Sequence, residues 1–267
     1  MLRDITLGQY YQTESVIHRL DPRVKLAGTL LFIVSLFFFH NFIGYLIAAA
    51  FLVLVIVLSH VPFKFMVKGM KAIVFLLLVT VIFNLFLTPG ETLVSVWKLT
   101  ITKEGVATAF TMAIRLSMLI IGSSIMTLTT TPNNLTDGME KGLRPLKIFR
   151  VPVHEVAMMM SIALRFIPIL LEETDKIMKA QIARGADFES GNIIHRAKAL
   201  VPLLVPLFIS AFRRANDLAM AMEARCYRGG DGRTKMKPLI YRKRDRIAYL
   251  CILVYMAASI GIGRIVL

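Results

Sequence analysis

The sequence predicts an all-α polytopic membrane protein: five transmembrane helices, with a cytoplasmic domain of about three helices inserted before the last span. Three observations carry this fold class. The 267 residues are 56% hydrophobic and only 18% charged, with mean hydropathy +0.67; soluble chains have roughly 45–50% apolar and about 25% charged residues. The apolar residues fall in long blocks, the pattern of bilayer-crossing helices rather than of a globular core. The net charge of +15 collects in alternate connections between those blocks. A water-soluble globular enzyme is excluded on composition alone.

The five spans are predicted at about 25–40, 42–59, 71–88, 106–130 and 247–264. Asp21 can cap the first helix with Pro22 at its first position, and Arg23 and Lys25 face the headgroups. Only His40, Asn41 and Phe42 separate spans one and two, which predicts a tight helical hairpin. The first residues lack a short apolar run followed by a small-residue cleavage site, so the first span is expected to remain in the mature protein.

Lys and Arg are retained on the cytoplasmic side of a membrane protein. Arg3, Arg19, Arg23 and Lys25 precede span one, Lys64, Lys68 and Lys71 lie between spans two and three, and segment 132–246 carries 21 basic against 12 acidic residues. The first hairpin has no Lys or Arg, and in the third connection Lys98 and Lys103 are offset by Glu91 and Glu104. Together, 28 of the 32 basic residues fall on one side. The N-terminus and segment 132–246 are therefore expected in the cytoplasm, and the C-terminus outside. The expected division is a four-span domain over 1–131, a cytoplasmic domain over 132–246 and a last helix in 247–267.

Segment 132–246 holds two further apolar runs, 151–171 and 197–212. The first contains His154, Glu155 and Arg165 with Pro152 and Pro168; the second has 16 residues with Pro202 and Pro206. Each continues without a turn residue into a charged helical stretch, 172–184 or 213–225. Two long helices are predicted, apolar at the start, amphipathic toward the end and projecting into the cytoplasm. A shorter helix from Pro132, with a Thr or Asn cap, precedes them.

The two long helices end alike, Ala183-Arg184-Gly185 and Ala224-Arg225-Cys226, 41 positions apart. An arginine in the last turn suits the negative end of the helix dipole, and Gly185 can take the left-handed conformation that closes a helix. By pattern alone each is equally an ordinary basic helix end. Under the same offset Glu172-Glu173 aligns with Arg213-Arg214, so crossed packing could pair them; solvated or headgroup-bound charges are the alternative.

The sequence has no G-x-x-x-x-G-K-[ST] phosphate loop. Within the five spans, edge residues aside, the one ionisable side chain is Arg115, and no carboxylate offers an ion-coupling relay. Arg115 is read as structural rather than as a substrate site. Cys226 and Cys251 form neither a metal-spacing motif nor a disulfide framework. The chain is thus expected to have neither a fuel site nor a solute site, the profile of a coupling part. Met158-Met159-Met160, Met178, Met220 and Met222 along the long helices suit a surface that repacks against partners, although a single methionine is more often a gap-filler.

His18-Arg19-Leu20-Asp21-Pro22-Arg23-Val24-Lys25-Leu26, Thr130-Thr131-Pro132-Asn133-Asn134-Leu135, Ala163-Leu164-Arg165-Phe166-Ile167-Pro168 and the two Ala-Arg-small triplets stand in this order on this topology. In them the chain closely resembles the transmembrane (T) components of energy-coupling factor (ECF) transporters, the EcfT/CbiQ-like family of bacterial micronutrient importers, over nearly its whole length. The resemblance implies a non-catalytic coupling subunit that transmits ATP-driven motion to a substrate-binding S component, for uptake of a vitamin or a transition-metal ion. It implies that Ala183, Arg184, Gly185, Ala224, Arg225 and Cys226 form the motifs that dock two ABC-type ATPase subunits. Arg165, Pro168, Glu172, Glu173, Arg213 and Arg214 belong to the coupling-domain structure. No cofactor or metal is expected on this chain, ATP and Mg being held by the ATPases.

An intramembrane protease fits poorly. Glu172-Glu173 could begin a Glu-Glu-x-x-x-Arg motif, but Ile177 stands where the arginine is needed, and Gly122-Ser123-Ser124 has no nearby base. An ordinary ABC permease would carry one coupling loop rather than two arginine-tipped helices. Nucleic acid is not expected as a partner, because the basic residues follow the membrane topology and anionic lipid accounts for much of the surplus.

Overall fold

The computed structural model describes residues 10–39, 41–66, 73–96, 99–188, 198–229 and 238–265, and the single positions 190, 192, 194 and 236. Arg3, Lys68, Lys71, Lys98, Arg196, Arg233, Lys235 and Lys237 of the charge count lie outside the described residues, as does His40 of the first hairpin. Two compact units are present, one formed by Gly8–Gly142 with Leu239–Leu267, the other by Leu143–Pro238.

The first unit begins with α1 (Pro22–Phe38), where Asp21 accepts a hydrogen bond from the Arg23 N–H and Pro22 occupies the first turn, the cap its sequence predicts. Next come α2 (Phe42–Ser59) and α3 (Val74–Leu87). Then a short antiparallel hairpin, β1 (Thr92–Val96) and β2 (Leu99–Thr102), pairs Val94 with Ile101 and Val96 with Leu99. The hairpin decorates a connection in an otherwise helical molecule and was not foreseen. Its end is tied down by Thr102, whose hydroxyl donates to the Thr88 carbonyl at 2.8 Å and accepts from the Gly105 N–H at 3.0 Å, capping α4 (Lys103–Thr129). Helix α5 (Pro132–Gly142) follows, started by Thr131, whose hydroxyl accepts from the Asn134 N–H. The last helix, α8 (Lys243–Ile265), returns to this unit.

Helix α1 packs on α4, α5 and α8, and α2 packs on α4 and α8. Their shared core includes Phe32, Leu36, Tyr45, Ala48, Leu52, Met118, Ile125 and Tyr255. Tyr255 stacks on Phe51 at 4.4 Å between ring centroids and shares a 2.6 Å hydrogen bond with the Ser35 hydroxyl, so α8 is keyed to α1 and α2 by one side chain. Most other large apolar side chains of α2 and α3 face outward, as lipid-facing helices require.

The second unit contains a 3₁₀ turn (Arg144–Phe149), α6 (Val153–Ala183) and α7 (Val201–Ala224). Each long helix is continuous across its apolar and charged halves, with Pro168 inside α6 and Pro206 inside α7. By length and composition α2, α4 and α6 are long and apolar enough to cross a membrane, and α3 is a shorter apolar helix.

The unit boundaries differ from the sequence division at 131/132 and 246/247. Residues 132–142 belong with the first unit because α5 lies on α1: Thr136 and Gly138 are buried, and a Cβ on Gly138 would stand 2.9 Å from the Pro22 Cβ. Residues 239–246 join the same unit because a buried carboxylate, Asp245, anchors them there.

Candidate functional site

The ends of α6 and α7 close with the same pair of bonds. At the end of α6 the Gly185 N–H donates to the Ile182 carbonyl at 2.9 Å and the Ala186 N–H to the Gln181 carbonyl at 3.0 Å. At the end of α7 the Cys226 N–H donates to the Glu223 carbonyl at 2.8 Å and the Tyr227 N–H to the Met222 carbonyl at 3.0 Å. Both pairs form the Schellman closure, which requires a left-handed residue after the cap. Gly185 has φ +86° and Cys226 φ +54°. The cap residues are Arg184 and Arg225, at φ −90° and −95°. Ala183, Arg184, Gly185, Ala224, Arg225 and Cys226 are all exposed. The construction turns the chain sharply away and leaves each guanidinium at a helix tip with only an alanine before it.

Where they touch, the two helices run in opposite senses. Arg214 donates to Glu173 at 2.5 Å, and the Gln181 side-chain amide donates to the Pro202 carbonyl at 3.2 Å. Moving toward the tip of α6 therefore means moving away from the tip of α7. From Pro202 to Arg225 is roughly 35 Å along the helix axis at 1.5 Å per residue. The arginines stand at opposite ends of the pair. Of the other predicted coupling-domain residues, Glu172, Arg213, Arg165 and Pro168 are exposed, and the structure does not bring Glu172 and Arg213 together as it does Glu173 and Arg214. Met159, Met160 and Met220 are exposed as well.

In the first unit, the His18–Leu26 string forms a clasp. The Asp21 carboxylate receives two bonds from the Arg23 guanidinium, at 2.9 and 3.0 Å. Burial would raise the carboxyl's pKa, but hydrogen bonds and charge from Arg23, with Lys141 adding to them, hold it below the ordinary carboxylate value. Asp245, 2% exposed, accepts from the Asp21 N–H at 2.8 Å and from the Arg242 N–H at 2.7 Å, so it joins the start of α1 to the start of α8. Arg23 also lies over the Tyr241 ring at 3.9 Å and donates to the Leu239 carbonyl at 3.3 Å, which Lys141 grips from α5 at 3.1 Å. Lys25 donates to the Thr129 carbonyl at 2.8 Å, closing the end of α4.

Sequence reasoning missed Asp245, Lys141 and Tyr241 as clasp members; the signal available was a lone acid, Asp245, in the basic run Arg242-Lys243-Arg244-Asp245-Arg246. Arg115 is structural in the fold as expected. Its Nε donates to the Tyr45 hydroxyl at 2.9 Å and its Nη2 to the Phe39 carbonyl at 3.3 Å, which satisfies the carbonyl that ends α1. Among the described residues no group of three or more His, Cys, Asp or Glu could hold a metal ion.

Packed apolar helices, three of them long and apolar enough to cross a membrane, mark a transmembrane component. Residues 13–236 match the family model described as cobalt transport protein, CbiQ. The chain is 57% identical over 262 residues to the energy-coupling factor transporter transmembrane protein EcfT of Clostridium kluyveri, covering 97% of each. The EcfT of Thermosediminibacter oceani is 54% identical over 249 residues, 93% of this chain and 94% of that one. For the Bacillus subtilis EcfT the figures are 45% over 258 residues, 96% and 97%. The chain belongs to this family, the membrane-embedded T components of energy-coupling factor transporters.

Proposed function

We infer that this chain couples two ABC-type ATPase subunits to a substrate-binding S component, so that ATP-driven motion drives uptake of a micronutrient, a vitamin or a transition-metal ion. The observation that carries this reading is the pair of identically closed, exposed arginine tips at opposite ends of two touching helices. Two separate tips suit two separate partners, and one tip geometry used twice suits two partners of one kind. An arginine fork bonds carboxylates and helix C-terminal carbonyls in a groove with five donors, which a lysine cannot match. The slender Ala183 and Ala224 leave room for that approach. The chain itself acts without catalysis, ATP and Mg being bound by the ATPases.

Five membrane spans, α1, α2, α3, α4 and α8, carry this device, with the charged half of α6 and all of α7 on the cytoplasmic side together with the N-terminus. The distribution of 28 of 32 basic residues supports that orientation. Although α6 is long enough to span, its C-terminal half carries Glu172, Glu173, Asp175, Lys176 and Lys179, which belong in water.

Arg184→Ala and Arg225→Ala are each expected to weaken ATPase attachment by about 2–5 kcal/mol, the loss of one buried charge-assisted contact. The double variant should nearly abolish ATP-driven uptake while still inserting in the membrane and binding the S component. Lysine should rescue poorly. Pull-down of both ATPases with uptake at the parental rate by the double alanine variant would overturn the coupling role.

A further inference from the structure

An apolar cavity of about 270 Å³ opens on the side of the membrane unit, between α1, α2, α4 and α8. All four helices present the same end to it: the starts of α1 and α8, and the last turns of α2 and α4. At that end the lining carries two cations, Lys25 and Arg244. Deeper in, the walls are apolar, with Phe32, Phe51, Val55 and Ile252 among them. From Lys25 to Phe32 and from Arg244 to Ile252 the groove descends roughly 10–12 Å at 1.5 Å per residue. Leu54, Leu58 and Ile247 on its rim are exposed, so the cavity is open sideways to the membrane rather than sealed. Two glycines shape it: a Cβ on Gly28 would press to 2.9 Å from Ile252, and one on Gly122 to 2.8 Å from Phe32.

An apolar trough that descends into the bilayer beneath two cations at the headgroup level has the charge and polarity of an anionic phospholipid laid lengthwise. A lipid without net negative charge would fill the trough but give Arg244 no net counter-charge, and a soluble phosphate would meet the cations but leave the trough empty; Lys25 already has the charges of Asp21 and Asp245 acting on it. Lys25 spends donors on the Thr129 and His18 carbonyls, which fixes its ammonium at the mouth and leaves the longer Arg244 to follow the phosphate. We propose that this groove is a binding site for a single anionic phospholipid, its phosphate on Lys25 and Arg244 and one acyl chain in the trough between α1, α2, α4 and α8. The site rests on the membrane embedding of this unit and not on the coupling role of Arg184 and Arg225, so each stands or falls separately.

The chain carries its own reporter. Cys251 lines the groove and is exposed along its open side, and Cys226, exposed at the tip of α7, lies away from it as an internal control. The full chain in delipidated detergent is treated with N-ethylmaleimide, and alkylation of each cysteine is followed by mass spectrometry of its peptide. Dioleoyl phosphatidylglycerol, dioleoyl phosphatidylcholine and glycerol 3-phosphate are compared at equal concentration. Phosphatidylglycerol is expected to slow alkylation of Cys251 at least fivefold more than phosphatidylcholine does, with Cys226 unchanged and glycerol 3-phosphate without effect. In Arg244→Gln, which keeps the carbonyl bonds of Lys25, the advantage of phosphatidylglycerol should fall at least threefold. Equal protection by the two lipids, no protection by either, protection by glycerol 3-phosphate alone, or an undiminished preference in Arg244→Gln would each overturn the proposal.

Discussion

Gly185 and Cys226 hold the same left-handed backbone, but only one of them has a Cβ that must tolerate it. A side chain in that region costs about 1–2 kcal/mol. No atom stands within 4 Å of the position a Gly185 Cβ would take, so Gly185 is needed for its dihedral and not for space. Gly185→Ala should therefore lower stability by about 1 kcal/mol, while Cys226→Ala, which trades one Cβ for another, should change thermal unfolding hardly at all. Equal effects of the two substitutions would show that the tips are not held as described. His18 supplies a second test. Its Nε2 lies 3.0 Å from the Tyr11 carbonyl, which can only accept, so Nε2 carries the proton and Nδ1 accepts from the Ser15 hydroxyl at 2.7 Å. Burial, helped by the charge of Lys25, holds His18 below its ordinary value despite the Tyr11 bond. A depressed pKa contributes stability that is complete above the unfolded value of about 6.5 and is lost as pH falls from there through the folded value. Acidification from pH 7.5 to 5.5 should lower the protection factor of the Tyr11 amide, which bonds the Leu128 carbonyl, after division by the slower intrinsic exchange at low pH. His18→Gln should remove that pH dependence.

At the scale of the elements, helix existence was legible and helix attachment was not. The predicted second span, 42–59, coincides with α2, and both long helices run unbroken through their change from apolar to charged, because no Gly or turn pair interrupts them. The strands of 92–102 lay hidden in a connection too short for a period-2 signal to stand out. The place of α5 beside α1 was hidden for another reason: it depends on a close approach at Gly138 that only three dimensions reveal. The 41-residue offset located the contact between α6 and α7 at Glu173 and Arg214, a half-exposed pair with side-chain exposures of 28% and 36%. A double-mutant cycle of Glu173→Gln and Arg214→Gln should give effects on stability that are less than additive, as a weakly coupled exposed pair does. Additive effects would mean that the helices are held by their apolar faces alone.

Across the whole molecule, the charge asymmetry predicts which surfaces reagents can reach. A maleimide that cannot cross membranes should label cysteines placed at Ser95 or Leu267 in intact cells, and should leave one at Ser190 unlabelled until the membrane is opened. Labelling at 190 from outside would reverse the orientation. The arginine tips could be found from sequence because they repeat; the clasp could not, because its bonds from Asp21 to Asp245 and from Lys141 to Leu239 join residues 224 and 98 positions apart. That clasp bears on how such a chain could be altered. The bond from Lys141 to the Leu239 carbonyl ties the point where the chain leaves the membrane unit, Gly142, to the point where it comes back, Leu239. Whatever lies between them is a loop already closed at its base. Because closure entropy grows only with the logarithm of length, each doubling of the insert adds about 0.6 kcal/mol. A longer, shorter or foreign insert can therefore be spliced between those two residues with little burden on the helices of the first unit, which makes the segment between them an exchangeable cassette and the clasp its socket.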